Sequence, residues 1–114
     1  MKAAYGEPVP SVGDGEVVFA GAQGGYGLTV VVEHESGIRT RYAHLSELAV
    51  RPGDAVLRGQ DVGKVGSTGR STGPHLHFEV LEHGRPVDPE QAAEKFAEID
   101  GFKKMREVAD SSGG

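Results

Sequence analysis

The 114-residue chain has no cysteine. That excludes a disulfide scaffold, a thiolate metal site and a cysteine nucleophile together. Long apolar runs are missing as well. No stretch approaches the roughly 20 residues needed to span a bilayer as a helix, and Met1-Lys2-Ala3-Ala4-Tyr5-Gly6 lacks the apolar segment of a signal peptide. Basic clusters are absent. The net charge is −5 and the Lys and Arg residues are scattered, whereas a nucleic-acid surface needs a basic stripe to displace counterions. A collagen-like three-residue glycine period is lacking too. Nucleic acid is therefore not an expected partner, and no transmembrane segment is expected.

What is present fits one small domain. Hydrophobic residues make up 37% and charged residues 25%, enough for a modest core. The 18 glycines fall largely between short β-branched runs, which predicts many strands joined by tight turns. Gly15–Ala20 reads as a strand that ends in a Gly21–Gly27 loop. Leu28–His34 and Ile38–Leu45 flank a short turn and read as a β-hairpin. Ala55–Arg58 and Val62–Val65 are two further short strands. The Gly/Ser/Thr-rich stretch Gly66–Gly73 leads into His75–Leu81, where apolar and polar residues alternate. At Asp88-Pro89 the pattern changes, with Asp suited to an N-cap and Pro to the first helical position. Phe96, Ile99, Phe102 and Met105 recur every third residue, so a helix is expected over 90–109, with 110–114 a disordered tail. Strands followed by a helix give an antiparallel all-β domain with a C-terminal helical appendage.

Three of the five histidines stand out. His75 and His77 flank Leu76 on a strand, so both imidazoles emerge on one face with Glu79 next along it. Leu76, Phe78 and Val80 point the other way, into a core. Such a strand presents imidazoles on a rigid platform that suits zinc, although His-x-His alone is equally compatible with a solvent-facing strand. His44 shares a face with Ile38, Thr40 and Tyr42 by strict alternation. His34 and His83 sit at turns, where simple turn polarity explains them. The spacing of Asp14, Glu33 and Glu35 singles out none of them as a metal carboxylate.

Gly24-Gly25-Tyr26-Gly27, Tyr42-Ala43-His44-Leu45, Val50–Gly53, Arg58-Gly59-Gln60, Val62-Gly63 and Gly66–Glu79 (GSTGRSTGPHLHFE) together resemble the core of the LytM/lysostaphin-type zinc endopeptidases. The resemblance spans about Tyr5 to Pro89, with residues 1–89 as the β core. It implies an antiparallel sheet or sandwich of the duplicated hybrid motif type. It also implies cleavage of peptides in bacterial peptidoglycan, and a location outside the cytoplasm for the full-length protein. In that family one zinc is held by a His, an Asp four residues later, and the second His of His-x-His. His77 matches the last of these. His75 and His44 match the two histidines that act on the water and the transition state.

The upstream His and Asp have no counterpart. Counted back from Gly6, the Asp would fall just before Met1. With His44, His75 and His77 all intact, an N-terminally truncated copy is the expectation, and zinc binding by this chain alone is expected to be weak or absent. The alternative is a degenerate LytM domain that binds and activates a cell-wall amidase without zinc. Val50–Val65 also resembles half of a biotinyl or lipoyl carrier domain, but Lys64 lies in a strand run rather than at the hairpin tip that such a carrier modifies.

Overall fold

The computed structural model describes residues 5–67 and 76–87. Their strands run in the order β1 (Pro8–Pro10), β2 (Gly15–Ala22), β3 (Leu28–Glu33), β4 (Ile38–Leu48), β5 (Ala55–Val56), β6 (Asp61–Val65), β7 (His77–Glu82) and β8 (Arg85–Val87). All pairings are antiparallel, as the alternation and short turns predict. The short strands β1 and β8 escape a sequence reading because Pro8, Pro10 and Pro86 lie within them, and proline argues against a strand except at an edge. The expected helix over 90–109, and the tail after it, lie outside the described residues, as do His75 and most of the Gly66–Gly73 loop.

The sheet runs β1-β6-β4-β3-β2-β5, with β7 also on β4 and β8 on β7. β3 is central and buried on both faces from Thr29 through Val32, which explains its nearly continuous apolar sequence. β4 organises the rest. One edge pairs with β3, from Glu33↔Arg39 to Leu28↔Leu45. The other edge is shared, first by β7, from Ile38↔Glu82 to Ala43↔His77, and then by β6, from Leu45↔Val65 onward. The β3–β4 connection is a single 3-10 turn, Glu35–Gly37. Gly37 has φ of 74°, and a Cβ there would come 2.5 Å from the His83 ring, so glycine is required by backbone and space alike.

The core gathers Val9, Val12, Val17, Val30, Val32 and Ile38 with Tyr42, Leu45, Leu76, Phe78 and Val80, among others. Leu76, Phe78 and Val80 do point inward, and each such burial contributes about 1.5–3 kcal/mol. Tyr42 and Phe78, opposite each other across β4 and β7, pack with ring centroids 5.5 Å apart.

A polar chain threads this core. His34 is not a solvated turn residue; it is 8% exposed. Its Nδ1–H donates to the Asp14 carbonyl at 2.8 Å, so the neutral ring accepts from the Thr40 hydroxyl at Nε2, also 2.8 Å. The Thr40 and Tyr42 hydroxyls lie 2.8 Å apart, and Tyr42 accepts the Val12 amide at 3.1 Å. Burial pushes the Tyr42 phenol above its ordinary range, which keeps it protonated. Sequence offers no sign of this link, because its members come from three separate segments.

Candidate active site: the histidine face of β4 and β7

The face of β4 and β7 turned away from the core carries Arg41 and Ala43 on one strand and Glu79 and His77 on the other. Arg41 pairs with Glu79 and Ala43 with His77.

His44 reaches this face by breaking the strand's rule. Strict alternation places it with Ile38, Thr40 and Tyr42, and that face proves to be the core. Between Leu28↔Leu45 and Val30↔Tyr42, two steps on β3 answer three on β4, so β4 carries one extra residue, a β-bulge. His44 sits in it with φ of 59°, a left-handed conformation that non-glycine residues rarely adopt. The bulge falls where the edge of β4 passes from β7 to β6. The His44 ring is thereby brought to 5.8 Å from that of His77, edge to face. His44 is 8% exposed, whereas the His77 side chain is 42% exposed.

Backbone strain at a chemically capable residue is found where function demands the geometry. It also predicts a reversed substitution order. Within a strand glycine normally costs about 0.5–1 kcal/mol relative to alanine. At residue 44 the left-handed backbone penalises any Cβ by about 1–2 kcal/mol. His44→Gly is therefore expected to be more stable than His44→Ala in urea unfolding. The opposite order would mean that φ at residue 44 is not left-handed.

His77 is held from one side. Its Nε2–H donates to Glu79 Oε2 at 2.9 Å, because a carboxylate can only accept. In the neutral ring this leaves Nδ1 unprotonated, with its lone pair able to accept a hydrogen bond or bind a metal. Glu79 also accepts from the Tyr26 hydroxyl at 3.2 Å and forms an ion pair with Arg41. Burial alone would raise the Glu79 pKa, but the hydrogen bonds from His77 and Arg41 outweigh it and hold the carboxyl below its usual range. Glu79 is thus ionised at neutral pH. Tyr26 ends a 3-10 turn over Gly24–Tyr26, between Gly24 and Gly27, which both take positive φ. Its ring covers the Arg41 guanidinium at 4.7 Å and lies 5.8 Å from the His77 ring. The sequence alone does not mark Arg41 and Tyr26 as neighbours of His77; for Glu79 the one signal is that it shares a face with His77.

A zinc site takes three protein ligands and keeps a fourth position open. His77 suits one such position, with one nitrogen tied to a carboxylate and the other available. Among the described residues no group of three His, Cys, Asp or Glu is placed to hold a metal. The described residues therefore do not make up a complete metal site.

The sequence model of Peptidase family M23 matches residues 1–89. The peptidoglycan DD-endopeptidase ShyB of Vibrio cholerae is 49% identical over 87 residues, covering 76% of this chain and 20% of ShyB. A zinc-containing peptidase from Vibrio cholerae superposes with a TM-score of 0.72 at 49% identity, covering 75% of this chain and 26% of that one. The catalytic domain of lysostaphin from Staphylococcus simulans superposes with a TM-score of 0.73 at 36% identity, covering 80% of this chain and 73% of that one. The chain spans about a fifth of the length of the curated relatives it matches. With its antiparallel fold, the family match over residues 1–89 and these relatives, the chain belongs to peptidase family M23, the LytM-type peptidases.

Proposed function

We propose that this domain forms part of a zinc endopeptidase that cuts peptide bonds in bacterial peptidoglycan, acting outside the cytoplasm. The observation that carries this is the convergence of His44, held in a strained bulge, on His77, whose ring is fixed by Glu79. The names of the relatives agree, since ShyB is a peptidoglycan DD-endopeptidase.

In this proposal His77 is a metal ligand through Nδ1, and the remaining ligands are the family's upstream His and Asp. Zinc, when bound, supplies Lewis acidity that lowers the pKa of a water and polarises the scissile carbonyl. His44 is close enough to His77 to act on a group held there, taking a proton from the attacking water or giving one to the leaving amine. His75 shares this work by family match, and it lies outside the described residues. The His44 position is buried, which strengthens any charge interaction made there.

The test compares two forms of the protein. Residues 1–114 alone are expected to bind zinc weakly in calorimetry, because even losing a hydrogen-bond partner of a ligand costs about 10–100-fold and two ligands lack a counterpart. A form that carries a His-x-x-x-Asp segment ahead of residue 1 is expected to bind one zinc and release peptide fragments from purified peptidoglycan. A chelator should abolish that release. Tight one-to-one binding by residues 1–114 would show that the ligand set is wrong. A zinc-loaded longer form that cuts nothing but stimulates a cell-wall amidase would replace the peptidase proposal with the amidase-activator alternative.

A further inference from the structure

The geometry points to Glu79 as the positioning residue for His77, with Arg41 as the clamp that holds Glu79 in place and the Tyr26 ring covering Arg41. This rests on the peptidase proposal only for its consequence, since His77 matters there as a ligand.

Three features separate this role from an ordinary strand-to-strand ion pair. First, the carboxylate is divided. Oε1 serves Arg41, while Oε2 receives both the His77 N–H and the Tyr26 O–H. A partner needed only to balance Arg41 would not spend its second oxygen on an imidazole. Second, the cluster is not fully satisfied as a structural ion pair. Arg41 Nε is buried without a hydrogen-bond partner among the described residues, and such an unmet donor is unfavourable. The guanidinium holds this posture because Glu79 fixes its end and the Tyr26 ring covers its face. Third, the register enforces the arrangement. Glu79 follows His77 by two residues on β7 and faces Arg41 on β4, so the carboxylate has the ring beside it along its own strand and the guanidinium opposite on the next. The carboxylate selects the Nε2–H tautomer of His77 and fixes its ring plane, which aims Nδ1 away from Glu79. Outer partners of this kind orient metal-binding histidines and raise their basicity.

The experiment reads the ring directly. In metal-free residues 1–114, in mildly alkaline buffer where histidines are neutral, imidazole ¹H–¹⁵N spectra are expected to show His77 as the Nε2–H tautomer. In Glu79→Gln the amide has one acceptor oxygen, which Arg41 claims. Its NH₂ then faces Nε2, and His77 is expected to shift to the Nδ1–H form. Glu79→Ala should give a mixture. Backbone amide spectra establish that each variant stays folded. Tyr26→Phe keeps the Glu79–His77 bond and should retain the wild-type tautomer. In the form with the complete ligand set, Glu79→Gln should weaken zinc binding by roughly 10–100-fold.

The proposal is overturned if wild-type His77 carries its proton on Nδ1, or if Glu79→Gln and Glu79→Ala leave the tautomer unchanged. It also falls if Tyr26→Phe shifts the tautomer as far as Glu79→Gln does, because the loop would then do the positioning. The tautomer is read without metal or turnover. A Glu79-dependent ring in a protein that cuts no peptidoglycan keeps the positioning role and removes the peptidase proposal.

Discussion

His77→Ala, made in a form that carries the upstream His and Asp, is expected to lose its zinc and all measurable cleavage of peptidoglycan peptides. His44→Ala in the same form should keep the metal and turn over more slowly. The two residues lie side by side, with ring centroids 5.8 Å apart, yet the proposed function gives them different work. His77 stands half-open with one nitrogen tied to Glu79, as a ligand does. His44 is buried on a strained backbone, which suits a group that must sit still beside the reaction. A positioned proton-transfer group contributes roughly 10²–10⁴-fold to rate, and His44→Ala should cost turnover in that range. His75→Ala is expected to resemble His44→Ala. Metal content by atomic emission, measured beside the rate, separates the roles. If His75→Ala strips the metal while His77→Ala retains it, the pair is assigned the wrong way round. Because His44→Ala also disturbs the bulge, His44→Gln serves as a second variant that keeps the bulk.

Tyr42→Ala is expected to destabilise the fold by about 3–5 kcal/mol, as removal of a large buried ring generally does. Tyr42→Phe keeps the ring and removes the hydroxyl, leaving the buried Val12 amide without its acceptor, at a cost of about 1–3 kcal/mol. In a domain of this size each kcal/mol corresponds to a drop in Tm of about 4–8 °C. A Tm for Tyr42→Phe equal to wild type would show that the polar chain through the core contributes nothing.

The same chain makes stability depend on pH through His34. Burial outweighs the help of the Asp14 carbonyl and charge, and lowers the His34 pKa. The folded state therefore favours the neutral ring. The associated stability is fully present above the unfolded-state pKa, about 6.5, and is lost as pH falls toward the lower folded value. Urea unfolding at about pH 8 and about pH 5 should show wild type losing more stability than His34→Gln. The lowered pKa of Glu79 acts in a different window. Its contribution is present above about pH 4.3 and is lost below it, so the two effects can be told apart. Equal losses in wild type and His34→Gln would show that His34 is not held neutral.

Much of the fold is legible in the residues themselves. The β-branched runs, the turn residues between them and the alternation of His77, Phe78, Glu79 and Val80 are local signals, because side-chain direction in a strand depends on the strand alone. The antiparallel class, the β3–β4 hairpin, the inward face of β7 and the family itself therefore follow from sequence. The proline-bearing edge strands do not, since a neighbour supplies their pairing and local preference opposes it.

The site divides along the same line. That His77 and Glu79 share a face is a property of β7 alone. That His44 joins them is not, because alternation carried through Tyr42 turns His44 into the core. Only the bulge opposite β3, placed where β4 exchanges β7 for β6, rotates it out, and a bulge belongs to the pairing of strands distant in sequence. The clamp on Glu79 is likewise tertiary. Tyr26, Arg41 and Glu79 are separated by 53 and 38 residues along the pairs they form, and no local pattern encodes a contact across such spans. Sequence alone determines which chemical groups this protein has and which family they mark. The sheet decides which of them meet, because hydrogen-bond register between strands, and not order along the chain, sets the distances at which imidazole, carboxylate and guanidinium act on one another.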